Sequence, residues 1–172
     1  MLVAYAGLPA RAEYTGFLTE TGQEVAPELN AYAPPFELQN IDGTTLDLRA
    51  LRGLPVLINF WATWCEPCKV EMPSLQAVYD AYKDRGLRIV AVNLGESREA
   101  VRVWVRQMSL TFDVVLDPTG EINALYQLRG QPSTYIVAPN GIISQIFFGP
   151  TTETTLETAL APYFSNGYTM EK

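Results

Sequence analysis

The chain has no histidine and only two cysteines among its 172 residues. Without imidazole it lacks the usual general base near neutral pH and the commonest metal ligand. Two thiols with no histidine make a poor donor set for zinc or type-1 copper, so no metal site is expected. Ser-His-Asp and Cys-His catalysis are excluded outright. Chemistry must therefore rest on sulfur, carboxylate, lysine or tyrosine. Basic residues are also scarce: 12 Lys and Arg against 19 Asp and Glu give a net charge of −7. That balance argues against nucleic acid or an anionic membrane surface as the main partner. No apolar run reaches the ~18 residues needed to cross a bilayer. The apolar start, Met1 to Pro9, is too short for this and has no charged stretch before it.

Hydrophobic residues make up 48% of the chain and charged residues 18%. Such a composition buries a core without metal or cross-links and is not that of a disordered chain. Residues 1–31 read as a mixed leader, 32–165 as one domain and 166–172 as a tail. Phe36 to Gln39 alternates in strand fashion, Asp42-Gly43 signals a hairpin turn, and Thr44 to Leu48 returns. Arg49 to Arg52 reads as a helical turn stopped by Gly53. Pro55 to Trp61 and Leu87 to Leu94 are nearly continuous apolar runs, as in strands covered on both faces. A helix is expected from about Cys65 to Lys83, with Val70, Leu75, Val78, Tyr79 and Tyr82 as its apolar stripe and Pro73 inside it. Ser97 caps a second helix, whose inner face is Val101, Val105 and Met108. A strand over 112–116, a helix over 119–128, a hairpin turning at Asn140-Gly141 and a helix over 152–164 follow. Strands alternating with helices predict an α/β fold, a central mixed sheet flanked by helices.

The two cysteines stand in Cys65-Glu66-Pro67-Cys68, directly after a buried strand and at a helix start. Side chains three apart on a helix start lie close enough to bond sulfur to sulfur. The first sulfur faces unpaired N–H groups and the positive end of the macrodipole, which favour a thiolate. The thiolate is the form that attacks disulfides. The second sulfur is shielded one turn deeper and resolves what the first one makes. Pro67 suits a first turn, where no N–H is required. The other half of a metal site is missing, so redox chemistry is favoured over a static cross-link or metal ligation.

The segment Phe60-Trp61-Ala62-Thr63-Trp64-Cys65-Glu66-Pro67-Cys68-Lys69 resembles the active-site segment of the thioredoxin superfamily, and more closely its extracytoplasmic TlpA/ResA-like branch. Pro73 matches the proline of that family's active-site helix. Gly130-Gln131-Pro132-Ser133-Thr134 resembles the cis-proline loop, and Val92-Asn93-Leu94-Gly95-Glu96-Ser97 the segment that opens the branch's helix–strand insertion. The resemblance covers roughly residues 33–164. It implies a thioredoxin-like fold with an N-terminal β-hairpin and a central helix–strand insertion. It also implies a thiol–disulfide oxidoreductase with Cys65 and Cys68 as its reacting pair. No cofactor is implied. Partners would be a disulfide-containing protein substrate, such as apocytochrome c in cytochrome c maturation, and a membrane thiol reductant of the DsbD/CcdA type. The location implied is the periplasm or cell envelope, with any anchor lying outside this chain. Substrate would meet Trp64, Glu66, Pro67, Gln131 and a cis Pro132.

Many thioredoxins carry a buried aspartate six residues before the first cysteine, and here that position is Asn59. Glu96 is expected to replace it, exchanging a proton as Cys68 leaves or attacks. Glu66 opposes a second negative charge on Cys65, raising its pKa and favouring the oxidised pair. Trp64 is expected at the rim, Trp61 in the core and Lys69 on the surface. The Phe36–Leu48 strand pair and Thr63-Trp64-Cys65 also resemble peroxiredoxins, so a thiol peroxidase is the alternative enzyme. That family usually has proline where Asn59 stands. A copper metallochaperone would want a histidine, and a non-catalytic binding module would not need the two cysteines.

Overall fold

In the computed structural model the described residues are 17–18, 22 and 24–165. The rest of the expected leader, and the expected tail over 166–172, lie outside them. Within the leader, β1 (Phe17–Leu18) pairs antiparallel with β2 (Glu24–Val25). Tyr32 then bridges to both Val25 and Ile142, which ties this small ribbon to the main body.

Asp42 makes the first turn of the domain by accepting hydrogen bonds from the backbone N–H and hydroxyl of Thr44, at 2.8 and 2.6 Å. It joins β3 (Glu37–Asn40) to β4 (Thr45–Asp47). Next come β5 (Val56–Trp61), α1 (Glu66–Tyr82), β6 (Arg88–Leu94), α2 (Arg98–Gln107) and β7 (Asp113–Asp117). The chain ends in α3 (Glu121–Leu125), β8 (Ser133–Val137), β9 (Ile143–Phe148) and α4 (Glu153–Phe164). Seven of the described strands form one mixed sheet in the order β4-β3-β7-β6-β5-β8-β9. β5 is central, parallel to β6 and antiparallel to β8, and all six of its residues are buried.

Alternation along β5 sends its side chains into two cores. Leu57 and Trp61 pack with Leu75, Val78 and Leu156 of α1 and α4. Ile58 and Phe60 pack with Val90, Tyr126 and Tyr135. Burying each large aliphatic chain contributes about 1.5–3 kcal/mol. Asn59 has the parity of Leu57 and Trp61, which directs a polar side chain toward α1.

Two expectations need correcting. Val70 is not part of the α1 stripe: it is 70% exposed, and the buried stripe is Cys68, Glu71, Met72, Leu75 and Val78. At 100° per residue, Val70 points about 200° away from Cys68. The third helix is also shorter than 119–128. Gly120 precedes it at φ +74° and Gln127 follows it at φ +49°, and neither conformation continues a right-handed helix.

Candidate active site

Four residues, 62–65, carry the chain from the buried end of β5 to the first turn of α1. Cys65 is the N-cap, with extended backbone at φ −84°, ψ 106°. Its Sγ accepts the backbone N–H of Cys68 at 3.2 Å, the task a serine or aspartate oxygen usually performs. Pro67 lies in the first turn, where its missing N–H leaves no bond unmade. The two sulfurs are bonded at 2.08 Å, with Cα atoms 5.3 Å apart. Cys65 keeps 6% of its surface exposed and Cys68 none, so an incoming molecule meets Cys65 first.

Reduction would leave the Cys65 sulfur against the α1 N-terminus, where an N–H and the macrodipole stabilise its thiolate. Trp64 is 65% exposed beside it, while Trp61 is wholly buried and stacks on Trp104 at 4.7 Å. Glu66 pairs with Lys69 at 2.9 Å on the open surface. The Gln131–Pro132 peptide bond is cis, and the Pro132 carbonyl accepts Gly149 N–H at 2.9 Å. Ser133 pairs with Phe60, which puts the cis bond at the sheet end from which the Cys65 loop emerges.

Glu96 lies in the turn after β6. Its Oε2 accepts the Thr63 backbone N–H and the Asn93 amide, both at 2.7 Å, and its Oε1 accepts the Thr63 hydroxyl. It clasps the loop that carries Cys65.

A buried carboxyl group, Glu71, lies one turn beyond Cys68, and the sequence reading passed over it. It is 1% exposed. Its Oε1 accepts the Thr151 N–H and the Thr134 hydroxyl, each at 3.3 Å, and also the Thr151 hydroxyl. Asn59 Nδ2 donates to its Oε2 at 3.3 Å. Burial pushes the Glu71 carboxyl above its ordinary value of 4.5, against the pull of these donors. A signal was present: Glu71 lies on the same helical stripe as Cys68, Leu75 and Val78.

Residues 29–146 match the model of the AhpC/TSA family. The chain belongs to that family. It is 43% identical over 129 residues to the thiol-disulfide oxidoreductase ResA of Oceanobacillus iheyensis, covering 73% of this chain and 67% of the relative. It is 36% identical to ResA of Geobacillus kaustophilus, covering 86% of this chain and 83% of the relative. Among solved structures, it superposes on a putative thiol:disulfide interchange protein DsbE from Chlorobium tepidum with a TM-score of 0.74 and 28% identity, covering 78% of this chain and 96% of that one. The matches and the Cys65–Cys68 disulfide make this AhpC/TSA member a thiol–disulfide oxidoreductase on a thioredoxin-like fold.

Proposed function

We propose that the protein works as a reductant of polypeptide disulfides outside the cytoplasm. The Cys65 thiolate attacks one substrate sulfur, forming a mixed disulfide and releasing the other substrate sulfur as a thiolate, which takes up a proton. The Cys68 thiolate then attacks Cys65 Sγ. The Cys65–Cys68 disulfide forms, the second substrate thiolate leaves, and two electrons have passed to the substrate. Support comes above all from Cys65 Sγ capping α1 with 6% of the residue exposed, while Cys68 lies behind it with none. The substrate chain would lie across Trp64, Glu66, Pro67, Gln131 and Pro132. Residues 32–165 constitute the working domain in this reading.

Glu71, three residues beyond Cys68 on the same buried face, is the group we assign to proton exchange with Cys68. Glu96 is assigned to holding the Thr63–Cys65 loop. The resemblance supports recharging by a membrane thiol donor of the DsbD/CcdA type, and apocytochrome c cysteines as substrate. The extracytoplasmic setting also agrees with the description of one similar structure, 25% identical, as a secreted disulfide oxidoreductase of Mycobacterium tuberculosis.

A Cys68→Ala variant tests the order of attack. It is expected to accumulate a mixed disulfide at Cys65 with a disulfide-bonded protein, visible by mass spectrometry, while Cys65→Ala gives none. Trapping through the other cysteine would reverse the roles. Hydrogen peroxide is expected to oxidise Cys65 no faster than free cysteine.

A further inference from the structure

Asn93 is wholly buried near the end of β6, with Trp61 as its register partner on β5. Its amide Nδ2 donates to Glu96 Oε2 at 2.7 Å. Only the NH2 end of an amide can face a carboxylate, so the other end, Oδ1, points away, and it meets no hydrogen-bond donor among the described residues. Trp61 does not supply one: its indole stacks on Trp104, and its own N–H has no acceptor among the described residues. A buried amide with half its bonds unmade is costly, and an apolar side chain of similar size would avoid that cost. What the amide does provide is a donor fixed in space. β6 is an inner strand, bonded to β5 on one side and to β7 on the other. Glu96 lies beyond it, after Gly95 at φ +72°, and is only half-buried. Its Oε2 is shared between the sheet, through Asn93, and the redox loop, through Thr63 N–H.

We infer that Asn93 is a positioning residue for the Cys65 thiolate, acting through Glu96 and Thr63. This deepens the reductase reading and rests on it, since Cys65 is there the attacking thiol. Thr63 lies inside the tight turn that Cys65 N–H closes onto the Ala62 carbonyl at 3.2 Å. A turn that moves at Thr63 carries Cys65 with it. Cys65 Sγ meets the α1 N-terminus by accepting Cys68 N–H at 3.2 Å. Lengthening that contact withdraws the helix terminus from the sulfur and makes the thiolate harder to form. With Asn93 in place, Glu96 is pinned to the sheet and the loop is pinned to Glu96. Without it, the carboxylate side chain is free to turn to water. The charged groups around the loop are Glu66 and Lys69 of α1, paired with each other, Glu96 and the buried Glu71. Changing Asn93 removes none of them.

Asn93→Leu removes the donor and the unpaired oxygen together. The reduced protein is treated with iodoacetamide across a pH series, and alkylation of Cys65 is followed by peptide mass spectrometry. The variant is expected to react ~3-fold more slowly than wild type on the acid side of the profile and equally fast on the alkaline side, an upward shift of about half a pH unit. Its Tm should change little, because the orphan oxygen leaves with the lost bond. Asn93→Leu/Glu96→Ala should match Glu96→Ala alone, because Asn93 acts through that carboxylate. If the leucine variant does not fold, Asn93→Ser, whose hydroxyl is too short to reach Glu96, takes the same measurement with the same expected shift. A Cys65 profile identical to wild type, with or without a fall in Tm, would mark a purely structural role and overturn the inference. So would a further shift in the double variant. Alkylation needs no disulfide substrate, so failure of the reductase reading would show separately, as a wild-type dithiol that reduces no disulfide-closed peptide.

Discussion

Asn59 Nδ2 lies 3.3 Å from Glu71 Oε2 in the interior, twelve residues away along the chain and on a different element. A strand and a helix meet there through an amide and a carboxyl group, with Thr134 and Thr151 closing the shell. The arrangement makes protonation of Glu71 part of the stability of the fold.

Burial raises the Glu71 pKa in the folded protein above its ordinary 4.5. The folded state therefore holds this proton more tightly than the unfolded state. The resulting stabilisation is complete below about pH 4.5 and is lost as pH rises through the folded pKa. Glu71→Gln is expected to remove this part of the pH dependence, flattening the decline in Tm above pH 4.5 relative to wild type. Thermal unfolding across a pH series measures it. A slope identical to wild type would mean that Glu71 does not titrate in this range.

Asn59→Asp would set a second carboxyl beside the first. Like charges at that separation cannot both ionise without cost. The variant is expected to lose about 1–3 kcal/mol at neutral pH and to regain much of it in acid. Urea unfolding at the two pH values reads the difference directly.

Thr63→Val keeps the side-chain shape and removes the hydroxyl that Glu96 accepts. A hydrogen bond to a charged group is lost, at about 1.5–3 kcal/mol. Because the loop leads to Cys65, the expected cost extends to exchange: slower reduction of insulin by the dithiol form, with a smaller change on adding Glu96→Gln to the same variant. The double-mutant cycle measures that coupling.

Gly141 sits at φ +87° in the β8–β9 turn, and a methyl group there would run into the Arg52 guanidinium. Arg52 donates to the Asn140 carbonyl and lies over the Tyr32 ring, 4.9 Å from its centroid. Gly141→Ala is expected to cost about 1–2 kcal/mol from the backbone alone, with more from displacing Arg52. Differential scanning calorimetry should show a clear fall in Tm. An unchanged Tm would mean that the turn relaxes to another conformation.

Much of the fold was legible because its signals are local. The apolar runs at 55–61 and 87–94, the Asp42-Gly43 and Asn140-Gly141 turns and the Ser97 cap each act within a few residues. The third helix is shorter than its sequence suggests because Gly120 and Gln127 both take positive φ, and a glutamine gives no local sign of that conformation. Val70 faces solvent because α4 and β6 cover the other side of α1, and that choice of side is made by the tertiary packing.

Sequence alone determined the chemistry: two cysteines three apart at a helix start bring sulfur, an N–H donor and a dipole together by helical geometry. Tertiary structure decided which carboxylates surround them. Glu71 is buried because Asn59, Thr134 and Thr151 converge on it from separations of 12, 63 and 80 residues. Glu96 turns to Thr63 because β6 lies beside β5, with Asn93 opposite Trp61. Burial and strand pairing are sums over distant contacts, and such sums exist only once the chain has folded.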